Sequence, residues 1–93
     1  MQSIIYQGDK CALCGRIATD THHIFYGAGL RTVSEQYGLT IRLCRACHTD
    51  AGDSVHKNRI TDLALKRYAQ RKAMELYGWN TDEFRSKFRK NYL

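Results

Sequence analysis

The 93-residue sequence has no proline and no repeat, linker or low-complexity segment, so nothing in it divides the chain into more than one domain. It also has no apolar run near the roughly 20 residues that cross a bilayer. Its opening stretch, Met1-Gln2-Ser3-Ile4-Ile5-Tyr6, lacks the apolar centre of a secretory signal. Together these absences exclude a membrane span and point to a soluble, cytoplasmic chain. Acidic charge is also scarce, with 9 Asp and Glu against 15 Lys and Arg, for a net charge of +6. The imbalance is local: residues 1–53 carry five basic and five acidic side chains, whereas residues 54–93 carry ten and four. A basic half suits a polyanion that one part of the chain grips and another part works on. Taken alone, it equally describes a solvated helix surface rich in Lys and Arg.

A single domain of this length buries a small core and needs a staple. The four cysteines supply one. Cys11-Ala12-Leu13-Cys14 and Cys44-Arg45-Ala46-Cys47 each separate two thiols by two residues, the gap that lets a knuckle present both sulfurs to one tetrahedral zinc ion. Disulfides or four unrelated buried thiols are the competing readings, but disulfides suit small secreted chains, and both pairs keep zinc spacing. Cys11, Cys14, Cys44 and Cys47 are therefore expected to hold a structural Zn²⁺, with Gly15 giving the backbone freedom for the turn after Cys14.

Along the chain, Ile4-Ile5-Tyr6 reads as an edge strand ending at Gln7-Gly8-Asp9. Thr21-His22-His23-Ile24-Phe25-Tyr26 is a β-compatible run, and Leu39-Thr40-Ile41-Arg42-Leu43 alternates as a strand that pairs with it. Residues 27–38 read as a loop containing a short helix, with Thr32 and Glu35 able to cap one turn. Beyond the turn-rich Thr49–Ser54 stretch, Asp53 or Ser54 can cap a helix from about Val55 to Tyr77, stopped by Gly78. Its expected core stripe is Ile60, Leu63, Ala64, Tyr68, Ala73, Leu76 and Tyr77, with Lys57, Arg59, Lys66, Arg67, Arg71 and Lys72 on the surface. Asn80-Thr81-Asp82-Glu83 has the form of a capping box for a last helix, in which Phe84, Phe88 and Tyr92 recur as a packing stripe.

The histidines carry the sharper expectation. Any one of them alone is ordinarily a surface or hydrogen-bonded side chain. Together, His22, His23, His48 and His56 lie on the expected hairpin or near the helix start, next to the cysteines. Neighbours on a strand face opposite sides, so of His22 and His23 one can bind a metal while the other faces substrate.

Cys11-x-x-Cys14, His22-His23-Ile24, Leu43-Cys44-x-x-Cys47-His48 and His56 resemble the HNH endonucleases over roughly residues 11–60. A narrower likeness covers almost the whole chain. His22-His23-Ile24-Phe25-Tyr26-Gly27, Ser34-Glu35-x-Tyr37-Gly38, Val55-His56-x-Asn58 and Asn91-Tyr92-Leu93 resemble the phage recombination-enhancement RecA-dependent nucleases. The resemblance implies an α+β fold, with a zinc-stabilised ββα-metal core over about residues 8–60 and a helical extension over about 61–93. It implies a metal-dependent endonuclease that hydrolyses DNA phosphodiester bonds, phage-related and acting in recombination, with a recombinase filament as a partner. By the same resemblance His23 is the general base, and His22, His48 and His56 hold a catalytic divalent cation (Mg²⁺, Mn²⁺ or Zn²⁺). The positive excess of residues 54–93, by contrast, is what makes Lys57 and Arg59 expected DNA contacts. One position departs from the pattern: many members carry asparagine five residues before the third cysteine, where this chain has Leu39, leaving Asn58 or His56 for the corresponding job. A non-catalytic zinc-dependent nucleic-acid-binding module, a recombination accessory protein and an RNA-cleaving relative are the competing readings.

Overall fold

Strand patterning is the most direct link from sequence to structure. In the computed structural model, which describes residues 2–93, Asp20–His23 form β1 and Thr40–Leu43 form β2. They pair antiparallel with Asp20 opposite Leu43, Thr21 opposite Arg42, His22 opposite Ile41 and His23 opposite Thr40. The alternation sends His22 and Ile41 inward together, and Arg42 donates to the Thr21 hydroxyl at 3.3 Å on the outer face. Ahead of β1, Lys10 bridges Ile17 and closes the first cysteine knuckle, which docks on β2 through Ala12 N–H to the Arg42 carbonyl at 2.9 Å. With the helices that follow, the class is α+β, as the sequence pattern indicates.

The segment Ile4–Tyr6 is not a strand. The Ser3 hydroxyl accepts from the Ile5 and Tyr6 N–H groups at 3.0 Å and bends the chain, offering these donors a local alternative to a ladder. Ile4 N–H then reaches the Gly38 carbonyl at 2.9 Å.

Helix α1 (Leu30–Tyr37) lies between β1 and β2 and is bounded by Gly29 and Gly38, both in the left-handed region. Thr32 lies inside this helix rather than capping it, and the Gly29 cap offers no side chain to the first-turn N–H groups. Buried Ser34 ties α1 to the end of β1 by accepting from Phe25 N–H at 3.1 Å and donating to the Phe25 carbonyl at 2.6 Å. Gly38 has no room for a larger residue, because a Cβ there would lie 2.6 Å from the Gln2 carbonyl.

After β2 the chain makes one π-helical turn, Ala46–Asp50, and then doubles back on itself. Val55 N–H bonds the Cys47 carbonyl at 2.8 Å, and His56 N–H approaches the His48 carbonyl at 3.5 Å. Helix α2 therefore begins later than the sequence pattern suggests. It runs Arg59–Tyr77, and its cap is Asn58, whose side chain accepts from Ile60 and Thr61 N–H, rather than Asp53 or Ser54.

Its buried face also differs from the expected stripe. Asp62, Lys66, Ala69, Gln70 and Ala73 face inward, whereas Ile60, Leu76 and Tyr68 are 82%, 60% and 46% exposed. The reason is pairing: a polar group can be buried when it is satisfied. Lys66 donates to Asp62 at 2.7 Å, Tyr26 hydroxyl donates to Asp62 at 3.1 Å, and Gln70 holds both Asn91 and the Tyr92 N–H at 2.8 Å.

Helix α3 (Thr81–Phe88) starts with the expected Asn80–Glu83 capping box and buries Phe84 and Phe88. Their rings meet Phe25 at 5.4 and 4.7 Å. Tyr92 packs on Phe25 at 5.4 Å from beyond the helix, since Arg89 takes a left-handed conformation and ends it. Leu39 is fully buried in the same core. No helix of the described residues is long and apolar enough to cross a membrane.

The cap assignment has a thermodynamic consequence. Asn58→Ala should lower stability by about 0.5–2 kcal/mol in urea unfolding of the zinc-loaded protein. Ser54→Ala should cost little, because the buried Ser54 hydroxyl has no hydrogen-bond partner among the described residues.

Candidate metal centres and the adjoining cleft

The two knuckles meet at one point. The sulfurs of Cys11, Cys14, Cys44 and Cys47 all lie within 4.8 Å of one another, and those of Cys14 and Cys44 are 3.6 Å apart. Four thiolates at about 2.3 Å from one tetrahedral zinc would stand about 3.8 Å apart, so the cluster is already close to ligand spacing. A disulfide needs about 2.05 Å, and all four thiols are free. Cys47 N–H points at the Cys44 sulfur at 3.5 Å, and Gly15 takes φ 78° where the first knuckle turns.

The thiols do not ionise alike. Burial opposes ionisation of Cys11, but the backbone N–H groups of Cys44, Leu13 and Cys14 outweigh it and bring this thiol down to about 6. Burial, followed by the neighbouring Cys14 and Cys44, pushes Cys47 far up. One thiolate forms readily and the next is repelled, a conflict that a bound dication removes. The four cysteines thus form a site able to hold a structural metal such as zinc.

A second cluster forms at the other side of the same segment. His22 from β1, His48 from the π-helical turn and His56 from the returning chain bring one ring nitrogen each within 4.8 Å of the others. The Nε2 atoms of His48 and His56 are 3.1 Å apart. Nitrogens about 2.0–2.1 Å from a shared zinc ion stand roughly 3–3.5 Å apart, so this pair has ligand spacing.

Two further features fit a cation. The Nε2 atom of His22 is buried without a hydrogen-bond partner among the described residues. Burial, then the charges of His48 and His56, hold the His22 imidazole down to about 3, so at neutral pH the ring is uncharged. His56 is lowered in the same direction, chiefly by burial.

The ring orientations are set from outside the cluster. His48 Nδ1 donates to the Asp20 carboxylate at 2.8 Å, which leaves Nε2 as the ligand atom. Arg45 grips the same carboxylate at 2.8 Å and, with His48, holds Asp20 well below the usual carboxylate range. Tyr26 packs its ring on His22 and His56 at 5.9 and 4.9 Å. Its hydroxyl is pushed up to about 12 by burial and by Asp62.

His23 takes no part in the cluster. It faces the opposite side of β1, as strand alternation requires, with its side chain 19% exposed and Nε2 2.9 Å from the Glu35 carboxylate. A cleft of about 310 Å³ is lined by Thr21, His22, His23, Tyr26, Gly27, Arg31, His48 and His56. It adjoins a groove of about 840 Å³ whose walls include His23, Gly27, Arg31, Thr32 and Glu35. His23, Gly27 and Arg31 belong to both.

Lys57 and Arg59 are exposed beside His56 but line neither cavity, and Asn58 is committed to the α2 cap rather than the cluster. The residues that sequence reasoning overlooked are Asp20, Tyr26, Arg31 and Arg45. Asp20 alone had a readable signal, since it sits two residues before His22 on the same strand and therefore on the same face. No protein-family model, curated protein or solved structure matches the chain.

Purified in mild chelator, the protein should carry about one tightly bound zinc equivalent by elemental analysis. Cys44→Ser should unfold it, since structural zinc is worth about 10–16 kcal/mol in small modules.

Proposed function

We propose that this chain is a metal-dependent endonuclease of the HNH type acting on DNA. The observation that carries the reading is the convergence of His22, His48 and His56 in one cleft with His23, which is held by Glu35 from the adjoining groove. In this reading β1, β2 and the segment leading into α2 form a ββα-metal core, and α2 with α3 extends it. A divalent cation held by His22, His48 and His56 would place positive charge on the phosphate and its leaving oxygen.

The protein's own groups have separable roles. An ionised carboxylate only accepts hydrogen bonds, so the Glu35 contact puts a proton on His23 Nε2 and leaves Nδ1 as the basic nitrogen. That nitrogen takes the proton of the attacking water. Asp20 fixes the His48 tautomer. The exposed cations of residues 54–93, Lys57 and Arg59 among them, hold the DNA backbone. Lys66 drops out of that surface, because it is buried against Asp62. A recombinase filament on DNA is the partner that the chain's likeness to phage nucleases implies.

Nicking of supercoiled plasmid, with and without added Mg²⁺ or Mn²⁺, tests the reading. Wild type should nick only with the cation. His22→Ala should lose activity that extra Mn²⁺ partly restores, because the lost contribution is metal affinity. His23→Ala should bind DNA and metal yet lose about 10²–10⁴ in rate, with no rescue by metal. No cation-dependent nicking by wild type, or nicking unchanged in His22→Ala, His23→Ala, His48→Ala and His56→Ala and so not made by this site, would leave a zinc-dependent DNA-binding module instead.

A further inference from the structure

We propose that Arg31 is a phosphate clamp, holding one backbone phosphate of the nucleic acid at the junction of the two cavities so that the strand lies against His23. The inference rests on the nuclease reading for its consequence in catalysis, but not for the binding itself.

Three observations support it. Arg31 lines both the histidine cleft and the wider groove, so a strand passing from one to the other crosses it. Its side chain is exposed, and no hydrogen bond or ion pair engages it among the described residues. Four other arginines are already committed, Arg42 to Thr21 and the Ala18 carbonyl, Arg45 to Asp20, Arg67 to the Tyr92 carbonyl and Arg85 to Asp82, and of the uncommitted ones Arg31 is the one that lines both cavities.

The third observation is the backbone around it. Gly27, Ala28 and Gly29 all have positive φ, at 80°, 46° and 87°, and Gly29 starts α1 without a side chain to cover the first-turn N–H groups. Leu30 N–H is taken up by the Gly27 carbonyl at 2.8 Å, and Arg31 follows it in the first turn of α1, at the positive end of that helix and on a wall of the groove. The acidic group in that groove, Glu35, is drawn to His23 at 2.9 Å. A planar fork of donors matches two phosphate oxygens at once, which a lysine ammonium in its place could not do.

The test combines binding and turnover on the zinc-loaded full chain. A short DNA duplex is titrated in without a second metal, while NMR follows the Arg31 Nε–H and the amides of Gly29 to Thr32. Cleavage is then measured with Mn²⁺ for wild type, Arg31→Ala and Arg31→Lys. Arg31 is exposed, so both variants should keep wild-type zinc content and melting temperature.

The Arg31 signals should shift on adding DNA, and Arg31→Ala should lose on the order of 10² in kcat/KM. Arg31→Lys should recover much of the affinity but little of the rate, since it restores charge without the fork. Unmoved Arg31 signals, or an Arg31→Ala variant that binds and cuts as wild type does, would overturn the clamp while leaving the nuclease reading intact. If wild type cuts nothing with any cation, yet the Arg31 signals shift and Arg31→Ala loses the duplex, the nuclease reading falls and the clamp stands as a binding site.

Discussion

Four sulfurs from two chain segments have to meet at one point, and most of the site geometry follows from that requirement. Cys14 and Cys44 are 30 positions apart in sequence, yet their sulfurs lie 3.6 Å from each other. The β1–β2 hairpin closes the loop between the two knuckles, and the Ala12–Arg42 backbone bond fixes the first knuckle to the second strand. Once Cys47 is held at the sulfur cluster, His48 follows one residue later on the π-helical turn, and its ring belongs to the histidine cluster. The turn lets a single short segment contribute to both the cysteine and the histidine cluster, and π-turns are frequent at functional sites.

His48 and His56 could not share an ion from one unbroken helix, because eight residues rise about 12 Å along its axis. The chain instead doubles back between them, so that Val55 and His56 lie against Cys47 and His48. Support for the histidine cluster then comes from charges rather than from apolar packing. Asp20 and Arg45 orient His48 on one side. On the other, Tyr26, Asp62 and Lys66 form a buried network, with the lysine ammonium 4.2 Å from the centre of the Tyr26 ring. Buried ion pairs contribute little net stability, since desolvation offsets the attraction. Position is the property this one supplies, because it sets the ring that packs on His22 and His56.

What could be read in the sequence was what local rules control. Strand alternation placed His22 and His23 on opposite faces, the two-residue cysteine gaps indicated a single four-sulfur site, and the Asn80–Glu83 box marked the start of α3. The failures came where tertiary pairing overrode those rules. Counting apolar residues along α2 selected Ile60, Tyr68 and Leu76, all exposed, because the face that packs is made of Asp62, Lys66 and Gln70 with their partners in place. Those partners, Tyr26, Asn91 and Tyr92, lie more than 20 residues away, beyond any helical period. The α2 start moved to Asn58 because residues 54–56 are held by the returning chain. Ile4–Tyr6 missed being a strand through one serine hydroxyl. Arg31 gave no signal at all, since its place at the cavity junction depends on the loop before α1.

The claim that one hairpin and one π-helical turn build two metal centres is tested most directly by anomalous diffraction from crystals of the zinc-loaded protein soaked in Mn²⁺. The expected map has a zinc peak among the sulfurs of Cys11, Cys14, Cys44 and Cys47, and a separate manganese peak among the ring nitrogens of His22, His48 and His56. A single peak at the sulfurs, with the three imidazoles bonded only to one another or to solvent, would contradict it.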